Sequence, residues 1–205
     1  MRRLIVAPIF ILLFSFQAHA LMELDFDFSY SKNVFGEKRD NRVTDRSYGG
    51  SWALYLWNLT AIELNYYQSK ETTIINDDNN IVNAGITRTS QQTIYETYVY
   101  GVGIRQAFAG RKSRFIPSLS VGYARTFNKS YGDSTFSFND GSGTFVYHYK
   151  VSKTRSDNAF AAFGLKFAIT RTFSIKGSVK TYFPADDFNK AKDNQKYTAG
   201  FSWFF

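Results

Sequence analysis

The sequence predicts an all-β chain: an eight-stranded antiparallel up-and-down transmembrane β-barrel with its apolar face turned outward. Three observations predict it. Side-chain character alternates with period two in eight separate segments, the period of a strand and not of a helix. The connections between those segments alternate between long and short. One face of the alternation collects aromatic and aliphatic residues, whereas the other collects glycine, serine and charge.

The chain opens with a segment of a different kind. Arg2 and Arg3 form a basic start, Leu4–Phe16 an apolar run of 13 residues, and Ala18-His19-Ala20 a small-x-small cleavage site. As a helix that run reaches about 20 Å, short of a ~30 Å hydrocarbon core. Residues 1–20 therefore read as an export signal with its cleavage set by Ala18 and Ala20, and residues 21–205 as one barrel domain. Removing Arg2 and Arg3 leaves 23 cations against 17 acids, so the formal charge falls from +8 to +6. His19 leaves with the signal, and His148 is then the one histidine.

The eight strands follow in order. Leu24, Phe26, Phe28 and Tyr30 alternate with Glu23, Asp25, Asp27 and Ser29. Tyr48, Gly50, Trp52, Leu54 and Leu56 alternate with Ser47, Gly49, Ser51, Ala53 and Tyr55. Ile62, Leu64 and Tyr66 alternate with Glu63, Asn65 and Tyr67. Ile94, Tyr98, Tyr100, Val102 and Ile104 alternate with Thr93, Thr97, Gly101, Gly103 and Arg105. Phe115, Pro117, Leu119, Val121 and Tyr123 alternate with Ser118, Ser120, Gly122 and Ala124. Phe163, Leu165, Phe167 and Ile169 alternate with Ala162, Gly164, Lys166 and Ala168. Phe173, Ile175, Val179 and Phe183 alternate with Ser174, Lys176, Ser178, Lys180 and Tyr182. The last strand sets Tyr197, Ala199, Phe201, Trp203 and Phe205 against Lys196, Thr198, Gly200, Ser202 and Phe204.

The short connections are Asn58–Thr60, Ala109–Arg114 and Thr170–Thr172. The long ones are expected as loops over Asn33–Asp45, Glu71–Gln92, Asn128–Asp157 and Pro184–Gln195. Both chain ends then lie on the short-turn side. Within the third long connection, Asn139-Asp140-Gly141 between alternating aromatics signals a hairpin, projecting or extending its two strands.

The orientation of the faces separates two classes. A soluble barrel would have to pack its bulky apolar face into a small lumen. Small residues such as Gly101, Gly103, Gly122, Gly164 and Gly200 would then stand on the outside without use. Inverted, they and the polar residues fill the narrow lumen. The 21 Phe, 14 Tyr and 3 Trp, 19% of the chain, then meet lipid. Tyr30, Trp57, Phe108, Phe115, Tyr123, Phe127, Phe173, Trp203 and Phe205 fall near strand ends, as two aromatic girdles require. Closure satisfies every backbone N–H and C=O inside a bilayer.

With its terminal Tyr197-x-Ala199-x-Phe201-x-Trp203-x-Phe205 pattern, its four-long, three-short loop rhythm and its Ala18-His19-Ala20 site, the chain resembles a known group. It is similar to the small eight-stranded outer-membrane barrels of Gram-negative bacteria: the OmpA-type transmembrane domain, OmpX, OmpW and the opacity-type proteins. The resemblance implies an integral outer-membrane protein with periplasmic termini and extracellular long loops. Structural, adhesive or surface-interaction roles go with it, and a small porin-like channel is the alternative. It also implies that Phe205, with Tyr197, Phe201 and Trp203, carries the signal read by the barrel-assembly machinery. No segment corresponding to a peptidoglycan-binding domain follows the last strand, so that property is not carried over.

Some small barrels modify lipid A, so catalysis is a third alternative. A hydrolase needs a nucleophile, a base and an orienting acid in reach. His148 is the candidate base, with Ser152 or Ser156 to approach it. A His-x-Ser pattern fails because position 150 is Lys, and no enzyme is expected. The absence of Cys excludes a disulfide scaffold and Cys-ligated metal. No metal site and no cofactor are expected. The inward charges Glu23, Asp25, Asp27, Glu63, Arg105, Lys166, Lys176 and Lys180 should pair in the lumen, because unpaired buried charge is costly. Expected partners are outer-membrane lipids and the phosphates of lipopolysaccharide, which basic residues at the first long connection, Lys38, Arg39, Arg42 and Arg46, can contact. Nucleic acid is not expected, since the positive charge is dispersed, and the barrel is complete as a monomer.

Overall fold

β-branched, aromatic and small residues alternating over ten or more positions leave the backbone no better partner than a neighbouring strand. In the computed structural model the strands are β1 Leu21–Phe35, β2 Asn41–Tyr55, β3 Thr60–Ile75, β4 Asn79–Ile81, β5 Ile86–Ala107, β6 Phe115–Phe138, β7 Thr144–Ala168, β8 Phe173–Phe183 and β9 Lys196–Phe204. The structure describes residues 21–36, 39–76, 78–81, 84–110, 112–184 and 195–205. The segment read as an export signal, with Ala18 and Ala20, and most of the connection 184–195 lie outside the described residues.

Every pairing is antiparallel between chain neighbours. The ring closes through β1 with β9, and β3 pairs with β5 past the three-residue β4, which pairs only with β5. Eight strands thus form a closed barrel and β4 is a spur on its rim. The short turns fall where expected: residues 56–59, 108–114 and 169–172.

The long connections are corrected. Most of 33–45, 71–92 and 128–157 is strand, not loop: β2 begins at Asn41, β3 runs to Ile75, β5 starts at Ile86, β6 runs to Phe138 and β7 starts at Thr144. Serine, threonine and tyrosine keep the ladder going there, but both faces are polar enough to hide the period. The expected hairpin is present, turning at residues 139–143. Gly141 (φ 76°) and Gly143 (φ 147°) adopt backbone conformations that L side chains disfavour. β8 pairs with β7 only over Ala159–Ala168, so the outer part of β7 pairs with β6 alone. It projects as a two-faced sheet, exposed on both sides from Thr144 to Asp157.

Inside and outside follow the alternation. Phe26, Tyr100, Val102, Ile104, Phe163 and Ile175 stand exposed on the outer wall. Phe183, placed outward by the alternation, is instead buried. The lumen is stacked in layers. At the turn end, Ala53, Tyr55, Ala61, Ala107, Ile116 and Phe204 form an apolar floor. A charged layer lies above it. Next come Tyr67, Val99, Ala124 and Phe160, with Tyr182 against them.

Candidate functional site

The charged layer is built by strand parity. Odd positions of β1 point inward, so Glu23, Asp25 and Asp27 line up two residues apart; Glu63 on β3 and Arg105 on β5, strands that pair with each other, point into the same layer. Lys166 on β7 and Lys176 and Lys180 on β8 complete the set from the opposite wall. All eight are buried. Four acids meet four bases, so the layer is formally neutral.

Arg105 is the hub. Its guanidinium lies 3.0 Å from Glu23, 2.8 Å from Asp25 and 2.8 Å from Glu63. It also donates to Ser51 Oγ at 2.7 Å. Lys176 Nζ reaches Asp25 at 2.6 Å and Asp27 at 3.5 Å. Lys166 pairs with Glu23 and Lys180 with Asp27. Hydroxyls take remaining lone pairs: Tyr55 and Ser202 each donate to Glu23 at 2.7 Å, Ser51 to Asp25 at 3.0 Å, and Ser120 to Glu63 at 2.5 Å. Such close pairing offsets the desolvation of each ion, and removing one partner leaves the other stranded.

The layer leaves almost no space. The cavity lined by Glu63, Arg105, Ser118, Ser120, Lys176 and Lys180 is about 10 Å³, at the lower limit for one water molecule. Above it the ring of Phe160 lies over a glycine floor. A Cβ at Gly103 would stand 2.8 Å from Phe160 Cζ, and one at Gly122 2.6 Å from its Cε1. Tyr182 packs on Phe160 at 6.2 Å and on Tyr67 at 5.9 Å between centroids. Reading the sixth strand from Ala162 missed Phe160; the glycines opposite it were the signal that something large fills their space. A further ion pair, Lys196 with Asp45 at 2.6 Å, sits higher. It was missed because Asp45 was assigned to a loop.

The C-terminal residues occupy one outward row of β9. Phe201 packs between Phe26 (5.1 Å) and Phe173 (6.0 Å). Trp203 meets Phe173 edge-on at 6.1 Å and stacks with Phe205 at 6.3 Å. Tyr197 stands at the other end of the row, 68% exposed.

His148 lies on the projecting sheet, its Nδ1 2.5 Å from Asp133. The nearby Ser134 hydroxyl is engaged with Tyr149 at 2.8 Å, and Ser156 accepts from Asn158 at 3.1 Å. The histidine and its acid thus stand together, and no serine hydroxyl is hydrogen-bonded to the imidazole among the described residues. Neither is there a group of three His, Asp or Glu able to hold a metal ion among them. At the hairpin tip, Ser142 hydrogen-bonds Asp140 and holds its carboxyl below the usual carboxylate range. Of the basic residues named at the first connection, Arg42 and Arg46 lie on the outward face of β2 and Arg39 in the turn, with a positive φ of 58°. Lys38 lies outside the described residues.

No protein-family model and no curated protein matches this sequence. Solved structures do match in fold. The N-terminal β-barrel domain of Pseudomonas aeruginosa OprF aligns with 91% of this chain and 100% of its own, at 14% identity and a TM-score of 0.53. Neisserial surface protein A aligns over 91% and 97%, at 13% identity and a TM-score of 0.44. Ail of Yersinia pestis aligns over the same shares, at 12% identity and a TM-score of 0.41. The chain has the fold of the small eight-stranded outer-membrane barrels.

Proposed function

We propose that the protein is an integral outer-membrane barrel with a closed, charge-neutral lumen, and that its work is done by its outer wall and projecting loops. The observation that carries this is the inversion of the barrel: eight ions are buried and paired inside while phenylalanine, leucine and isoleucine stand exposed outside. In water that outer wall would be a large aggregation-prone patch; in lipid it is solvated. On β7 the outward residues from Ala159 to the strand's end at Ala168 carry no charge, about 23–27 Å of tilted strand. That matches a hydrocarbon core, with the chain ends on the periplasmic side.

The role is structural and interactive rather than catalytic or conductive. A lumen filled by paired ions beneath an aromatic layer gives solutes no path. The projecting sheet offers Phe136 stacked on Phe145 at 5.2 Å and exposed Val146 and Tyr147, a surface suited to adhesion. The terminal row ending in Phe205 is the surface through which the barrel-assembly machinery would take hold.

Planar-bilayer recording of the folded protein tests the closed lumen. The expected result is a bare-membrane baseline, and resolvable single-channel steps would restore the channel reading. Membrane residence is checked by fractionation and by heat-dependent migration on gels. Recovery of the native protein in the soluble fraction would defeat it.

A further inference from the structure

One wall of the barrel, made by β1, β2 and β3, differs from the rest. On its outward face the ladder stacks three zones in register. Gly50 lies between Phe26 and Tyr66; Tyr48 lies between Phe28 and Gln68; Arg46 lies between Tyr30 and Lys70; Thr44 lies between Lys32 and Thr72.

The lowest zone is an apolar notch of about 400 Å³. It exists because Gly50 carries no side chain where Phe26, Trp52, Leu64 and Tyr66 stand around it. The notch sits at the depth of the apolar band. Above it comes a tyrosine rim, where the Tyr48 and Tyr66 hydroxyls both donate to Gln68. Above the rim is a recess of about 380 Å³ lined by Lys32, Arg42, Arg46 and Lys70, with Tyr30 and Thr44 between them. Arg46 is four residues from Gly50, about 13 Å along a strand.

The cations of this recess have few acids near them. On the neighbouring walls, Arg125 is paired with Asp157 at 2.8 Å and Lys129 lies 3.6 Å from Glu96. Among the described residues, no carboxylate lies within 4.0 Å of Lys32, Arg42 or Arg46, and Lys70 touches Glu96 only at 3.9 Å. Arg46 rests over the Tyr30 ring at 5.8 Å, which holds it outward on the wall.

The geometry points to a binding site for one phosphorylated lipid of the outer leaflet, of the lipopolysaccharide class. An acyl chain lies in the Gly50 notch, and the headgroup phosphates are held by Arg42, Arg46, Lys32 and Lys70. Arginine pairs favour the bidentate geometry of phosphate. A soluble polyanion would use only the cations, and a neutral lipid only the notch. The alignment of the two on the same three strands selects an amphiphile carrying both parts. The site rests on the proposed membrane residence, since it needs the β1–β3 wall to face the outer leaflet.

The test is native mass spectrometry of the detergent-folded protein titrated with bisphosphorylated lipid A, its dephosphorylated form, and inorganic pyrophosphate. The wild type should bind the bisphosphorylated lipid best. Arg42→Ala/Arg46→Ala should weaken it about tenfold, as loss of two solvent-exposed ion pairs implies. A matched pair on the projecting sheet, Lys153→Ala/Arg155→Ala, should stay within about twofold. Leu64→Trp, which fills the notch from its lipid-facing rim, should weaken the acylated probe and leave pyrophosphate unaffected. Equal loss in the two double variants, equal binding of the dephosphorylated lipid, or no effect of Leu64→Trp would overturn the proposal. Failure of the wild type to form a heat-modifiable barrel in detergent would instead defeat the membrane reading beneath it.

Discussion

The lumen between Phe204 and Phe160 and the sheet that projects beyond the barrel are made of the same strands, yet they obey different rules. In the lumen every second residue faces inward, and eight buried ions pair with one another. On the projecting part of β7, both faces are exposed for fourteen residues from Thr144 to Asp157. Register shifts appear there as well, between Arg88 and Ser90 and between Ser130 and Gly132. A one-residue slip in the lumen would carry an ion to the outer wall, so register is strongly held. On the projecting sheet a slip exchanges water for water, and bulges are cheap.

The sharpest way to break that contrast is to remove the hub. Arg105→Met takes the shared cation from Glu23, Asp25 and Glu63, leaves Glu63 without an ion pair among the described residues, and should cost about 3–5 kcal/mol. A urea midpoint in micelles would fall accordingly, and Glu63→Gln in the same chain should recover part of the loss. A wild-type midpoint for Arg105→Met would sink the view of the network as the barrel's internal support. Lys176→Ala or Asp25→Ala, which strands fewer partners, should lower the midpoint by less, in the same assay.

Phe160→Ala comes next. It empties the space over Gly103 and Gly122 and should cost about 3 kcal/mol as a large-to-small change in a packed site. Bilayer recordings should stay at baseline, because the ion layer beneath still fills the lumen. Channel steps in this variant would mean that the aromatic layer, not the ion layer, closes the barrel.

On the projecting sheet, Phe145→Ala removes the stack with Phe136 and should change the unfolding midpoint by less than about 1 kcal/mol. An effect as large as that of Arg105 would erase the distinction between the two regions.

The smallest expected effect is at the hairpin tip. The Asp140 carboxyl is held below its ordinary value by Ser142. A depressed carboxylate stabilises its turn above the unfolded value and loses that contribution as the pH falls through the folded one. Protection of the Ser142 amide, taken relative to its intrinsic exchange rate at each pH, should therefore fall on acidification through the carboxylate range, while amides of the barrel wall stay protected. An Asp140→Asn variant should remove the pH dependence.

Much of the barrel was legible beforehand because the outer wall and the lumen take opposite kinds of side chain on successive residues. Glu23, Asp25, Asp27, Glu63, Arg105, Lys166, Lys176 and Lys180 stand on the inward face that the alternation assigned them. The three short turns also fall where Asn58, Gly110 with Lys112, and Thr170-Arg171-Thr172 interrupt the pattern. The strand extensions over 33–45, 71–92 and 128–157 were not legible, since two wet faces leave no binary signal. Phe160 was hidden for a related reason: it lies just beyond the point where the alternation was taken to begin. The recess on β1–β3 was only half visible. Arg42 and Arg46 were noted as basic, but Lys32 and Lys70 joined them only through cross-strand register.

What the sequence by itself determined was the side of the wall for most residues of the eight short strand cores, and with it the equal inventory of acids and bases to be buried. Period two decides that locally, one residue at a time. Only the tertiary structure decided which acid meets which base. Arg105 finds Glu63 across 42 residues of chain, whereas Lys180 finds Asp27 across 153. The second pair exists because closing the ring through β9 brings β8 within side-chain reach of β1 at one stagger. That stagger is set by all the strand pairings together, not by any one of them.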